Sequence, residues 1–240
     1  MLRCRPEGRA AMTQRWRSLL FLHFPADPAE IQALLPDGLS IDTFPDESGI
    51  EKAWIGLVSF RMEGITLSGF PEVPGIHAFP ETNVRTYVHR EGRSPGVWFF
   101  SLEAANTLAC RFARRFFHLP YHEAKMSVRE SSNVIQYRSR RRSDGCLCCI
   151  DCTLGEPLPP PEAGSLEFYL VERYLLYSAY QSEIFTGRVY HKPYPVRAAR
   201  VGDHQEDLVG AVGIRPRAFT HALFSTGVDV EVFRLEIVVR

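Results

Sequence analysis

The chain has 240 residues, 28 basic residues against 28 acidic ones and no net formal charge. That balance excludes a basic nucleic-acid arm or a polybasic membrane face as the main design, so neither nucleic acid nor membrane is expected as a partner. Apolar residues make up 45% of the chain, enough for a sizeable core, and no apolar run approaches the ~18–20 residues needed to span a bilayer.

Residues 1–11 are rich in Arg, Gly and Ala without periodicity, and are expected to dangle as a disordered extension to a single domain over 12–240. No apolar leader precedes Thr13, so a cytoplasmic protein with reduced cysteines is expected. The apolar run Ser18 to Phe24 reads as a buried strand. Asp27-Pro28-Ala29-Glu30 then has the pattern of a helix start, with Ile31, Leu34 and Leu35 on one face and a stop at Pro36-Asp37-Gly38. Strands are expected at 39–44 and 52–62, followed by a long Pro/Gly loop over 64–80.

Two further strands are read at 82–89 and 96–102. An amphipathic helix over 103–117 is expected to bury Leu108, Phe112, Ala113, Phe116 and Phe117 and to end at Pro120. Strands recur at 124–130, 134–141 and 146–153, the last two joined by Ser143-Asp144-Gly145. After the Pro-rich stretch 155–164 come a short helix (165–171), a strand pair (172–180 and 183–191) and a terminal strand (228–239). Many short strands around one central helix predict an α+β, mainly β fold: an antiparallel barrel or cone with peripheral helices.

The densest polar pattern is Glu81-Thr82-Asn83-Val84-Arg85-Thr86-Tyr87. Period-two alternation puts Glu81, Asn83, Arg85 and Tyr87 on one face, which is either solvated or the wall of a polar cavity. In a cavity, Arg85 would suit a carboxylate and offset the charge of Glu81. Tyr121 and His122 are candidate acid/base groups; a metal between His118 and His122 is disfavoured because Pro120 breaks the helix that would align them. Cys146, Cys148, Cys149 and Cys152 lack the second ligand pair of a zinc site and are expected to be reduced, metal-free and mostly buried. Glu172-Arg173-Tyr174 and Tyr190 to Pro195 would cap a pocket mouth or pack as a rigid loop. No nucleotide or phosphate fingerprint occurs, and no cofactor is expected.

Several stretches, among them Phe79 to Val88, Gly96 to Leu102, Glu172-Arg173-Tyr174 and Ser225 to Val230, resemble the bacterial domain-of-unknown-function family typified by the YqjF-like proteins. That family is similar to the acetoacetate decarboxylase-like superfamily, whose fold is a β-cone enclosing a small-molecule pocket. The resemblance places Tyr121 where the Schiff-base lysine should stand and His122 where its neighbour should be. Lys125 falls on a later lysine, and Glu81 matches the pocket glutamate. It implies a retained pocket without imine chemistry, acting on a keto- or enol-acid-like molecule through Glu81, Tyr121 and His122, with Asn83, Arg85 and Tyr87 holding the ligand. The alternative is a non-catalytic small-ligand binder or sensor; a homo-oligomer is left open.

Overall fold

The computed structural model describes residues 2–70, 76 and 78–239. The chain runs β1 (Met12–Ala26), α1 (Pro28–Gln32), two short strands β2 (Ser40–Ile41) and β3 (Phe44–Pro45), then β4 (Glu51–Leu67), β5 (Ala78–Arg90) and β6 (Arg93–Ala104). It continues through α2 (Thr107–Phe116), β7 (Tyr121–Ser131), β8 (Val134–Arg141), β9 (Leu147–Pro157) and α3 (Leu166–Val171). It ends with β10 (Leu175–Tyr180), β11 (Glu183–His191), β12 (Val196–Glu206), α4 (Leu208–Ala211) and β13 (His221–Val239). Asp27 caps α1 as its sequence pattern predicts, its carboxylate accepting from Ala29 and Glu30 N–H.

The sheet is a wall that forks. β13, β1, β4, β5 and β6 pair in that order, all antiparallel. At one end of β6, Val97 and Trp98 take β10; at the other, Leu102 to Ala104 take β7. β13 divides its outer side in the same way between β12 and β11. β10 and β11 thus close a smaller ring, and β7, β8, β9 and β12 close a larger one. The two pairings on β6 are parallel, a departure from the all-antiparallel expectation; α2 supplies the crossover that a parallel β6–β7 neighbour needs.

Strands shared by two rings have no face turned to solvent, which is why 18–24 and 54–60 are nearly continuous apolar runs. Leu19, Phe21, Val58 and Phe60 pack into the core of the smaller ring, while Leu20, Leu22, Ile55 and Leu57 pack into that of the larger. Strands on both sides of 155–164 belong to the same sheet. β12 and α4, between Pro195 and His221, have no counterpart in the sequence-based assignment.

Three expectations change. Residues 2–11 lie against the sheet instead of dangling: the Arg5 guanidinium makes a bidentate pair with Glu231 (2.6–3.0 Å), Arg188 donates to the Leu2 and Cys4 carbonyls, and Ala10 is buried. On α2 (which starts at Thr107 behind an Asn106 cap), Leu108 and Phe116 are exposed, and Ala109, Phe112, Ala113 and Phe117 turn inward, because theirs is the face that packs over the cavity. Of the four clustered cysteines only Cys148 and Cys152 are buried, flanking Ile150 on the inner face of β9; all six thiols are free.

Gly227 sits opposite Arg17 in β13 with φ +136°, where a Cβ would lie 2.2 Å from the Trp16 carbonyl oxygen. Gly227→Ala is therefore expected to cost on the order of 3 kcal/mol, seen as a thermal midpoint about 5–10 °C lower by circular dichroism. An unchanged midpoint would mean that β1 and β13 separate here more easily than their pairing implies.

Candidate functional site

The smaller ring encloses a cavity of about 200 Å³ lined from β1, β4, β5, β6, β10, β11 and β13, with α2 and the start of β7 at its side. Bulges decide which residues face it. In β1, Met12, Gln14 and Trp16 face inward, then an extra residue near Ser18 (φ 52°) flips the alternation and Leu19 and Phe21 take over. In β4 the flip falls at Gly64 (φ 57°), between Met62 and Ile65; in β6 it falls at Phe100, between Phe99 and Leu102. Most of the lining is therefore aromatic or aliphatic, with polarity concentrated on β5.

Glu81, Asn83 and Arg85 project from β5 into this cavity, as period two predicts. Register brings Tyr121 to them. Asn83 pairs with Leu102 on β6, and Leu102 pairs with Tyr121 at the start of β7, so a phenol two strands away reaches across the row. The Tyr121 hydroxyl donates to Glu81 Oε2 at 2.8 Å, and both side chains are buried. Burial raises the Glu81 pKa to about 8, opposed by hydrogen bonds from Tyr121 and Asn83 and reinforced by the charge of Glu103. Glu81 is thus mainly a neutral acid at pH 7. Burial, and then Glu81 itself, push the Tyr121 phenol well above its ordinary value.

Arg85 does not offset Glu81, contrary to the sequence expectation. Its Nη2 donates to the Leu170 carbonyl at 3.2 Å, and its guanidinium lies 5.7 Å from the ring centres of Phe21 and Tyr87. Its charge is felt by His23, Tyr87, His191 and Tyr194. The cavity therefore has two polar poles: an uncharged one at Glu81, Asn83 and Tyr121, and a cationic one at Arg85.

Tyr87 stands behind Arg85 and outside the lining. Its hydroxyl donates to the Leu170 carbonyl (2.7 Å), so the proton in its 2.9 Å bond to His23 Nε2 is the imidazole's. His23 Nδ1 then accepts from His221 Nδ1 at 3.2 Å. Burial, His221 and Arg85 hold the His23 pKa well below its ordinary value, so the pair stays neutral. Tyr87 thus supports the carbonyl to which Arg85 is fastened.

His122 leaves the site. β7 begins at Tyr121, three residues earlier than expected, so consecutive residues alternate and His122 faces the other side, beside Glu103 and near Arg141. His118 instead stacks on Tyr180 at 4.6 Å. Among the described residues no group of three or more His, Cys, Asp or Glu is placed to hold a metal. Lys125 and Lys192 are exposed, and neither they nor Lys52 line the cavity.

Gln14, Trp16, Arg173 and Tyr194 also line the cavity. The alternation of Met12, Gln14 and Trp16 against Thr13, Arg15 and Arg17 was the available signal for the first two. Arg173, held by Asp42 at 2.7 Å, and Tyr194 come from the two segments read as either a mouth cap or a rigid loop.

Among the described residues no helix is long and apolar enough to cross a membrane. In fold, the chain superposes on acetoacetate decarboxylase from Legionella pneumophila with a TM-score of 0.65 and 13% identity, covering 98% of this chain and 91% of that one. An acetoacetate decarboxylase-like enzyme from Sphingomonas wittichii RW1 matches at 0.64 and 12%, covering 97% and 94%. The enduracididine biosynthesis enzyme MppR, solved with pyruvate, matches at 0.64 and 11%, covering 96% and 91%. The architecture is that of the acetoacetate decarboxylase-like proteins, and such low identity carries the fold alone. In sequence, the chain is 35% identical over 212 residues to the uncharacterized protein YqjF of Bacillus subtilis (strain 168), covering 87% of this chain and 84% of YqjF. Residues 13–229 match DUF2071, described as an uncharacterized conserved protein, and the chain belongs to that family.

Proposed function

We propose that the cavity binds a small, largely apolar acid of the keto- or enol-acid type, and that Glu81 and Tyr121 act on it by proton transfer and hydrogen bonding without a covalent imine. The observation that carries this reading is the pair itself: a buried carboxyl group whose pKa is raised to about 8, hydrogen-bonded to a phenol. A carboxylic acid that keeps its proton near neutrality can deliver it to the carbon of an enolate, while the phenol donates a hydrogen bond to the enolate oxygen until that proton arrives. Arg85 supplies the counter-charge for a ligand carboxylate. MppR, with its pyruvate, makes a 2-oxo acid a natural first probe.

Incubation with a panel of 2-oxo and 3-oxo acids, followed by proton NMR, is the test. Substrate loss or hydrogen exchange should exceed the buffer rate and fall by about 100-fold in Glu81→Gln. Borohydride added to the mixture should leave the mass of the protein unchanged, since Tyr121 cannot form an imine. Turnover unaffected by Glu81→Gln would overturn the acid/base assignment. The second reading is a non-catalytic binder. It is favoured by the bond that Tyr121 and Glu81 already make with each other, and saturable binding without turnover in any member of the panel would select it.

A further inference from the structure

Two buried polar atoms on residues that line the cavity have no hydrogen-bond partner: Asn83 Oδ1 and Arg85 Nε. Leaving such groups unpaired is costly, so a built cavity that contains them is shaped to a ligand that supplies the missing partners. The two ask for opposite things. The Asn83 amide directs its N–H to Glu81, so the oxygen turned away from Glu81 needs a donor. Arg85 Nε needs an acceptor, and its charge makes a carboxylate the natural one. Asn83 and Arg85 are two residues apart on one strand face, about 7 Å along the strand, and both line the cavity.

We propose that this site selects the O–H form of its acid. The occupant is a hydroxy acid or the enol of an oxo acid, its carboxylate on Arg85, its hydroxyl donating to Asn83 Oδ1, and its apolar remainder against Trp16, Phe60 and Phe99. This rests on the reading that the cavity takes an apolar acid, and narrows it: a ketone oxygen at the same place would face the Asn83 carbonyl oxygen with no hydrogen between them. The hydroxyl carbon then sits beside Glu81 and Tyr121, the groups that exchange protons.

The test compares 2-hydroxyoctanoate, 2-oxooctanoate and octanoate by titration calorimetry on the full chain. The hydroxy acid should bind about tenfold more tightly than either of the others. In Asn83→Leu that advantage should disappear, the hydroxy acid then binding no more tightly than octanoate. Asn83→Ala serves the same comparison if the leucine variant does not fold. Arg85→Gln should weaken all three by at least about tenfold. Equal affinities, or a preference for the oxo acid, would overturn the proposal while leaving the acid site intact. Failure of all three to bind folded wild-type protein would overturn the proposal and the underlying reading together.

Discussion

Replacing Arg141 by Met is expected to destabilise the protein by about 3–5 kcal/mol, because it strands a carboxylate inside the larger ring. Glu103 lies on β6 with its side chain fully buried, and Arg141 on β8 with 4% exposure; Arg141 Nη2 reaches Glu103 Oε1 at 2.6 Å and Nε reaches it at 3.1 Å. Even so, burial leaves the Glu103 pKa above its ordinary value, and its second oxygen has no partner. Without the guanidinium the carboxylate must either stay charged in an apolar setting or take up a proton. The loss should therefore grow with pH, and the double variant Arg141→Met with Glu103→Leu should recover most of it. Urea denaturation of both variants at pH 6 and 8 decides the matter. If Arg141→Met alone loses less than about 1 kcal/mol, the pair contributes little to stability.

The second large effect concerns Glu81 and alkaline pH. Its folded pKa of about 8 lies above the ordinary 4.5, so the native state holds a proton that the unfolded state releases. The stability this contributes is fully present below pH 4.5 and is lost as pH rises through 8. The limiting slope is about 1.4 kcal/mol per pH unit, so the window amounts to at most about 4–5 kcal/mol. Glu206, raised to about 7 by burial, adds a smaller loss of the same sign. The buried His23 and His191 and the partly buried His221 act oppositely: desolvation lowers each, and their contribution is lost as pH falls below 6.5.

Between pH 6 and pH 9 wild type should lose about 3 kcal/mol through Glu81, whereas Glu81→Gln, whose amide imitates the neutral acid and cannot ionise, should keep its stability over that range. Denaturation curves for both proteins at the two pH values measure this difference. An equally steep alkaline loss in the variant would mean that Glu81 is already ionised at neutral pH, and would remove the neutral-acid argument for catalysis.

What the sequence by itself determined is local. Asp27 before Pro28 caps α1 because an acceptor there meets orphan N–H groups whatever the rest of the fold does. The Glu81, Asn83, Arg85 face survives because β5 runs without a bulge of its own across those residues, so the two-residue period holds. The mainly β character follows from the number of short apolar segments between turn residues.

What only the tertiary structure decided is parity, branching and distance. A single extra residue near Ser18, at Gly64 or at Phe100 exchanges the two faces of a strand, and where the runs are apolar on both sides no residue marks the exchange. The same one-residue logic separates Tyr121 from His122: once β7 starts at Tyr121, neighbours in sequence lie on opposite sides of the sheet. The fork along β6 and β13 depends on which strand ends meet across long sequence separations, and it turns one sheet into two rings. The charge of Arg85 fell beyond sequence reasoning for the same reason. A residue's position on a face is local, but the direction of a long guanidinium side chain depends on the Leu170 carbonyl, supplied by a helix 85 residues away.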